Sequence, residues 1–234
     1  MKKILVLFAL SAFLTSCEMG VQGNGQVKTE KRSVAQFNRI DVEGHYDVYL
    51  KQGEAPALTI KADENLLELI ETDVQGGELR IESSKPIGKA RELALYITVR
   101  ELEKIQTSGA VTLITDNEIR SSSLEIESSG ACEANMELRC DELRIEVSGA
   151  GDMKIRGVAE NFEIESSGAC EIDALELKTL RTRIEVSGAG EVSVYATEEL
   201  DIDASGAAEI RYKGTPRNIK QEASGASSVK PYNP

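Results

Sequence analysis

Between residues 100 and 230, apolar and polar positions alternate with period two, and a Ser-Gly-Ala tripeptide interrupts the alternation at regular intervals. It stands at 108–110, 129–131, 148–150, 167–169, 187–189, 205–207 and 224–226, in steps of 21, 19, 19, 20, 18 and 19 residues. Three positions before each Ser stand Ile105, Ile126, Ile145, Ile164, Ile184, Ile202 and then Gln221. Five after it stand Leu113, Ala134, Met153, Ile172, Val192, Ile210 and Val229. Period two on both sides of the tripeptide predicts strands with one buried face. The central Gly then supplies the positive φ or the tight approach of a corner.

A unit of about 19 residues cannot bury its apolar face alone, but stacked copies can. The pattern predicts an all-β solenoid, one coil per copy, with coils hydrogen-bonded about 4.8 Å apart. An eighth copy is disguised: RIDVEGHYDVYL (Arg39–Leu50) aligns without gaps on RIEVSGAGDMKI (Arg144–Ile155), with Glu43-Gly44-His45 in the corner slot. The corner glycines are therefore Gly44, Gly109, Gly130, Gly149, Gly168, Gly188, Gly206 and Gly225. Aromatics make up only 4% of the chain, as a narrow interior requires.

Two columns flank the corner on the inward parity. Before Ser stand Thr107, Ser128, Val147, Ser166, Val186, Ala204 and Ala223; after Ala stand Val111, Cys132, Gly151, Cys170, Gly190, Ala208 and Ser227. Ser accompanies Cys and Val accompanies Gly, as expected where packing density is fixed. Cys132, Cys140 and Cys170 read as small core residues. The first and last lie two coils apart, too far for a disulfide. With no CxxC and one His, a Zn site is not expected.

Outward positions carry charge. Four before Ser stand Lys104, Glu125, Arg144, Glu163, Arg183, Asp201 and Lys220, alternating strictly in sign. One copy per coil makes this a ladder of opposite charges; two copies per coil would stack like on like. Two before Ser runs an acidic column: Asp41, then Gln106, then Glu127, Glu146, Glu165, Glu185, Asp203 and Glu222. Four after Ser runs another: Asp47, Glu133, Asp152, Glu171, Glu191 and Glu209. One reading of these stripes is Ca²⁺ bridging neighbouring oxygens. The other is a solvated face that keeps the solenoid soluble. No Asp-rich Gly loop is present. His45 breaks the repeat symmetry at its corner, near Tyr46, Asp47 and Tyr49, and is a candidate for the binding face together with both stripes. Tyr195 is a candidate for stacking on sugars, whereas Tyr212 has inward parity.

Between the disguised copy and the first Ser-Gly-Ala, residues 57–61, 78–82 and 93–99 read as strands, and Glu64–Val74 as a short amphipathic helix or turn-rich crossing. This region is expected to cap the first coil's open edge. At the start of the chain, Met1-Lys2-Lys3 precedes an eleven-residue apolar run, Ile4–Leu14, too short to span a bilayer. Leu14-Thr15-Ser16-Cys17 follows and resembles the lipobox of bacterial lipoproteins, in which the Cys is acylated. Loss of the leader takes the formal charge from −13 to −15, which argues against nucleic acid and against anionic lipid headgroups as partners. The expected organisation is a signal peptide, 1–16; lipidated Cys17 and linker, 17–36; one domain, 37–230, with strands and cap (37–107) and repeat coils (108–230); and a tail, 231–234.

RIDVEGHYDVYLKQGE, KADENLLELIETDVQGGELRIE, LALYITVRELEKIQTSGA and the later corners, in this order, resemble the head-GIN auto-transporter adhesin family common among anchored Bacteroidetes envelope proteins. The resemblance covers about Phe37–Ser228 and departs at Arg100-Glu101-Leu102, where relatives often carry Pro before the Leu. It implies a right-handed parallel β-helix and a role in adhesion, with no established catalytic residues. The function expected is a non-enzymatic envelope protein, anchored through its lipid at the outer membrane, binding a glycan, a host matrix component or an envelope protein. Two alternatives are a carbohydrate-active β-helix lyase or hydrolase and a passive structural envelope protein. Catalysis needs a localised carboxylate cluster, whereas here each carboxylate of the two stripes belongs to a repeated column.

Overall fold

The computed structural model describes residues 20–232; Cys17 and the leader lie outside them. Fifteen strands and one helical turn occur among the described residues. In chain order these are β1 (Val27–Arg32), β2 (Arg39–Gln52), β3 (Ala57–Asp63), α1 (Glu64–Leu67), β4 (Ile70–Gln75), β5 (Glu78–Ser83) and β6 (Leu93–Val99). The repeat region follows with β7 (Lys104–Thr115), β8 (Ile119–Ser128), β9 (Ala131–Val147), β10 (Ala150–Ser166), β11 (Ala169–Val186), β12 (Ala189–Ala204), β13 (Ala207–Lys213), β14 (Asn218–Ala223) and β15 (Ser228–Pro231).

The protein is a parallel β-solenoid. From β9 to β12, each strand of 16–18 residues runs from one Ser-Gly-Ala corner to the next and forms a whole coil. The corners stack in register: Ala150 pairs with Ala131 on one side and Ala169 on the other, and Ala189 pairs with Ala169 and Ala207. The disguised copy is a true coil, since β2 pairs with β7 without a shift and places Gly44 opposite Gly109. Backbone hydrogen bonds continue through the corners, as in Ala150 N to Gly130 O at 2.9 Å and Ala169 N to Gly149 O at 3.0 Å.

The predicted inward columns form the core. Ile126, Ile145, Ile164, Ile184 and Ile202 are fully buried in one continuous row. Burying such a side chain is worth about 1.5–3 kcal/mol, so the row is a principal source of cohesion between coils. In the terminal coil the columns fail as the sequence anticipates: β14 is exposed throughout, including Gln221 and Ile219.

Glycine at the corner answers to dihedral angle in some coils and to proximity in others: Gly44, Gly109, Gly206 and Gly225 have positive φ, of 132°, 101°, 92° and 73°. Gly130, Gly149, Gly168 and Gly188 lack a positive φ. A Cβ on Gly149 would nevertheless stand 2.0 Å from the Gly130 carbonyl oxygen, and one on Gly168 would stand 1.9 Å from that of Gly149. The corner backbones lie too close for any side chain.

The cap is built as expected, with two differences. β5 pairs with Arg39–Val42 of β2 and β6 pairs with Asp47–Gln52, so the first coil's free edge is covered along both halves. The stretch read as a helix or crossing, Glu64–Val74, is one helical turn followed by β4, which returns through Gly76-Gly77 to pair antiparallel with β5. Both glycines have positive φ (57° and 83°), as a two-residue hairpin turn requires. Arg32 holds this junction, its guanidinium donating to the Leu67 carbonyl at 2.9 Å and the Ile70 carbonyl at 2.5 Å. The second difference is β1, which lies within the stretch read as linker and adds antiparallel to β3.

Candidate binding surface on the solenoid

The alternating charge column is a ladder in space. Lys104 pairs in register with Glu125, Glu125 with Arg144, Arg144 with Glu163, Glu163 with Arg183, Arg183 with Asp201 and Asp201 with Lys220. Ion pairs follow most of these rungs: Lys104–Glu125 at 3.1 Å, Arg144–Glu163 at 2.8 Å and Lys220–Asp201 at 3.7 Å. The alternation stops at the first coil, where Arg39 meets Lys104 and turns instead to Glu78 at 3.5 Å.

The same cations reach sideways into the first acidic stripe. Lys104 bonds Glu127 at 2.6 Å, Arg144 bonds Glu165 at 2.8 Å, and Arg183 pairs with Glu185. Gln106, the neutral member of the column, donates to Glu127 at 2.7 Å. Burial alone would raise the Glu127 carboxyl; the Lys104 ammonium outweighs it and holds the group below the usual carboxylate range. Stacked carboxylates are tolerated because a ladder cation of the same or the neighbouring coil neutralises most of them. Asp41 lacks so close a partner. Burial pushes its carboxyl up, opposed by Arg80, whose guanidinium lies 3.8 Å away.

This stripe and the corner serines line two furrows that meet at Glu146. One, of about 260 Å³, lies among Glu146, Glu165, Glu185, Asp203, Ser167, Ser187 and Ser205. The other, of about 240 Å³, runs from Asp41 to Ser148. Across the corner lies a wider depression of about 580 Å³, floored by Ala110, Ala131, Ala150, Ala169 and Ala189 and walled by Glu133, Asp152 and Glu171. These three carboxylates are exposed and stack in register. They have no ion pair among the described residues, whereas Glu191 and Glu209 of the same stripe share Arg211. No group of three or more His, Cys, Asp or Glu able to hold a metal occurs among the described residues.

The other candidates are scattered. His45 is exposed on the first coil, opposite Ala110 and one coil before the alanine floor of the depression. Tyr46 is buried, its hydroxyl 2.8 Å from that of Ser83. Tyr195 is covered by the Lys213 ammonium, 4.8 Å from its ring centre. Tyr212 packs half-buried against the core. Tyr49 stacks on Tyr96 of β6, with ring centres 4.9 Å apart; this pairing was hidden in sequence because the two residues meet only through the insertion.

The three described cysteines are free and buried. Cys132 and Cys170 stand either side of Gly151, two coils apart. The Ser128 hydroxyl lies beside the Cys132 thiol and the Ser166 hydroxyl beside that of Cys170, contacts too loose to count as hydrogen bonds. Burial raises all three thiols, that of Cys140 to about 11.

Known structures place this geometry. An adhesin described as putative from Bacteroides fragilis NCTC 9343 is 26% identical with a TM-score of 0.86, over 91% of this chain and 100% of that one. A "putative lipid binding protein" from Parabacteroides distasonis ATCC 8503 is 22% identical with a TM-score of 0.74, over 91% and 99%. A "putative adhesin" from the same strain is 20% identical, also with a TM-score of 0.74, over the same shares. No protein of curated function matches the sequence. The family model described as "Putative auto-transporter adhesin, head GIN domain" matches residues 36–216. That description names a binding role and no reaction. The chain belongs to the head GIN domain family of auto-transporter adhesins.

Proposed function

We propose that the protein is a lipid-anchored, non-enzymatic binding module of the cell envelope, held by Cys17 at the outer membrane and engaging its partner along the solenoid face. The observation that carries this is the depression beside the corner, where a floor of alanines runs beneath three exposed carboxylates, Glu133, Asp152 and Glu171, lacking ion-pair partners among the described residues. Such a row offers acceptors at the coil spacing to the hydroxyls of a glycan or the cations of an envelope or host matrix protein. Repetition favours binding over catalysis, because the furrow carboxylates recur from coil to coil where a reaction needs one distinct cluster.

The test is a binding screen of residues 18–234 against glycan arrays and against matrix and envelope proteins. The expected hit weakens when Glu133→Gln, Asp152→Asn and Glu171→Gln are combined. Turnover of a polysaccharide abolished by one carboxylate change would overturn the reading.

A further inference from the structure

Residues 21–24 are strapped onto the cap. Val21 N donates to the Pro86 carbonyl at 2.8 Å, Gly88 N to the Val21 carbonyl at 2.9 Å and Gly23 N to the Lys89 carbonyl at 2.8 Å. Asn65 clamps the strap from the other side: its amide donates to the Gln22 carbonyl at 2.8 Å, and its side-chain oxygen accepts from Asn24 N at 2.9 Å. Gly23 lies flat on buried Asp63, where a Cβ would stand 1.9 Å from the carboxylate. Only Glu18 and Met19 separate Gly20, which leads into this strap, from residue 17. Three Cα–Cα steps reach at most about 11 Å, so a lipid on Cys17 keeps the cap that close to its bilayer.

The strap and the loop beneath it are chemically unlike the rest of the molecule. Residues 20–27 and 84–91 carry Lys85, Lys89 and Arg91 and no carboxylate, in a chain of net charge −13. All three cations are exposed, and none has an ion pair among the described residues. Val21 is exposed between them. Asp63 is buried and accepts from Arg91 N through Oδ2 at 2.7 Å, Glu64 pairs with Lys28, and Glu92 pairs with Lys61 at 2.7 Å.

We infer that the cap docks on the anionic headgroup surface of the bilayer that holds the lipid, through Lys85, Lys89, Arg91 and Val21. This rests on the lipid-anchor reading above. A lipid chain joined to a basic patch is a two-signal attachment. The seven coil steps from Arg39 to Lys220 then carry the acidic face outward over roughly 34 Å, away from headgroups that would repel it.

The docking is tested apart from acylation in cells. Residues 17–234 are coupled through Cys17 to a maleimide lipid in phosphatidylcholine vesicles, with and without phosphatidylglycerol, and amide hydrogen exchange is compared with that of the uncoupled protein. On anionic vesicles, exchange across residues 20–25 and 87–91 slows about tenfold, while 213–232 is unchanged. The triple variant Lys85→Glu, Lys89→Glu, Arg91→Glu stays coupled and loses the slowing, with unchanged exchange in β9–β12 reporting an intact fold. No slowing in the wild type, slowing that survives the triple variant, or equal slowing at both ends would overturn the docking. The anchor itself is read separately: Cys17→Ala that stays with the membrane fraction sinks the anchor, and Cys17→Ala that becomes soluble supports it whatever the vesicles show.

Discussion

Gly149 and Gly130 meet so closely at the corner that a methyl group on the first would overlap the carbonyl oxygen of the second, at 2.0 Å. Backbone is on both sides, so nothing can swing away. Gly149→Ala is expected to cost about 3 kcal/mol, in the range of severe single substitutions. Ser148→Ala, one residue away and exposed, is expected to cost less than about 0.5 kcal/mol. Urea denaturation of both variants checks this; equal stability would mean that the corner opens readily.

Gly151 and Gly190 end identical octapeptides but are small for different reasons. A Cβ on Gly151 would lie 3.1 Å from Val147 Cγ1, the side chain across its own corner. A Cβ on Gly190 would instead meet the Cys170 carbonyl at 2.7 Å and its Sγ at 2.8 Å, in the neighbouring coil. Gly151→Ala should therefore lose about 1–2 kcal/mol by overpacking and recover about 1 kcal/mol of coupling when combined with Val147→Ala. Gly190→Ala combined with Val186→Ala should recover nothing. A double-mutant cycle at each corner separates the two.

Glu127 and Asp41 belong to one stripe and respond oppositely to acid. Lys104 holds the Glu127 carboxyl below its ordinary value of 4.5. Its contribution is present above the unfolded value and is lost as pH falls through the folded one. Burial raises Asp41 above 3.8; its ionised form therefore costs stability, a cost relieved as pH falls through the raised value. At pH 7, Glu127→Gln should be less stable than wild type by about 1 kcal/mol, and Asp41→Asn at least as stable as wild type. Both differences should shrink toward pH 3, as measured by denaturation across pH.

The three core thiols should be silent in the native protein. Cys140, raised to about 11, carries almost no thiolate at pH 8, and Cys132 and Cys170 are shifted the same way and buried. A thiol-disulfide reagent at pH 8 is expected to find none of them in folded residues 18–234 and all three in guanidinium. Rapid reaction of native protein would show that the coils breathe at the corner.

The coils were legible because in-register parallel stacking makes each position its own neighbour. A column of Ile in sequence becomes a row of Ile in space, and the sign of Arg144 predicts the signs of Glu125 and Glu163. Where pairing runs antiparallel, that shortcut fails. β1, with the sequence VKTEKR, has no buried position along it, so nothing local separates it from a linker; β3 makes it a strand. Leu66, Leu67 and Ile70 fit a helical face, yet the helix stops at Leu67 because the chain must return as β4 beneath Arg32. The furrows were legible as acidic columns. Which carboxylates stay unpaired was not, because it depends on how far Arg144, Arg183 and Arg211 reach.

In the middle of the stack, from Ser128 to Gly190, each coil differs in two respects from the next and agrees with the one after. The ladder charge inverts, and the corner switches between Ser with Cys and Val with Gly, from Ser128 and Cys132 to Val147 and Gly151. Within this stretch, deleting or duplicating a single coil would set like charges face to face and put two corners of the same kind in contact, whereas a change of two coils keeps both alternations. The smallest interchangeable unit of the central stack is a pair of coils, and that stack can grow or shrink without frustration only in even numbers.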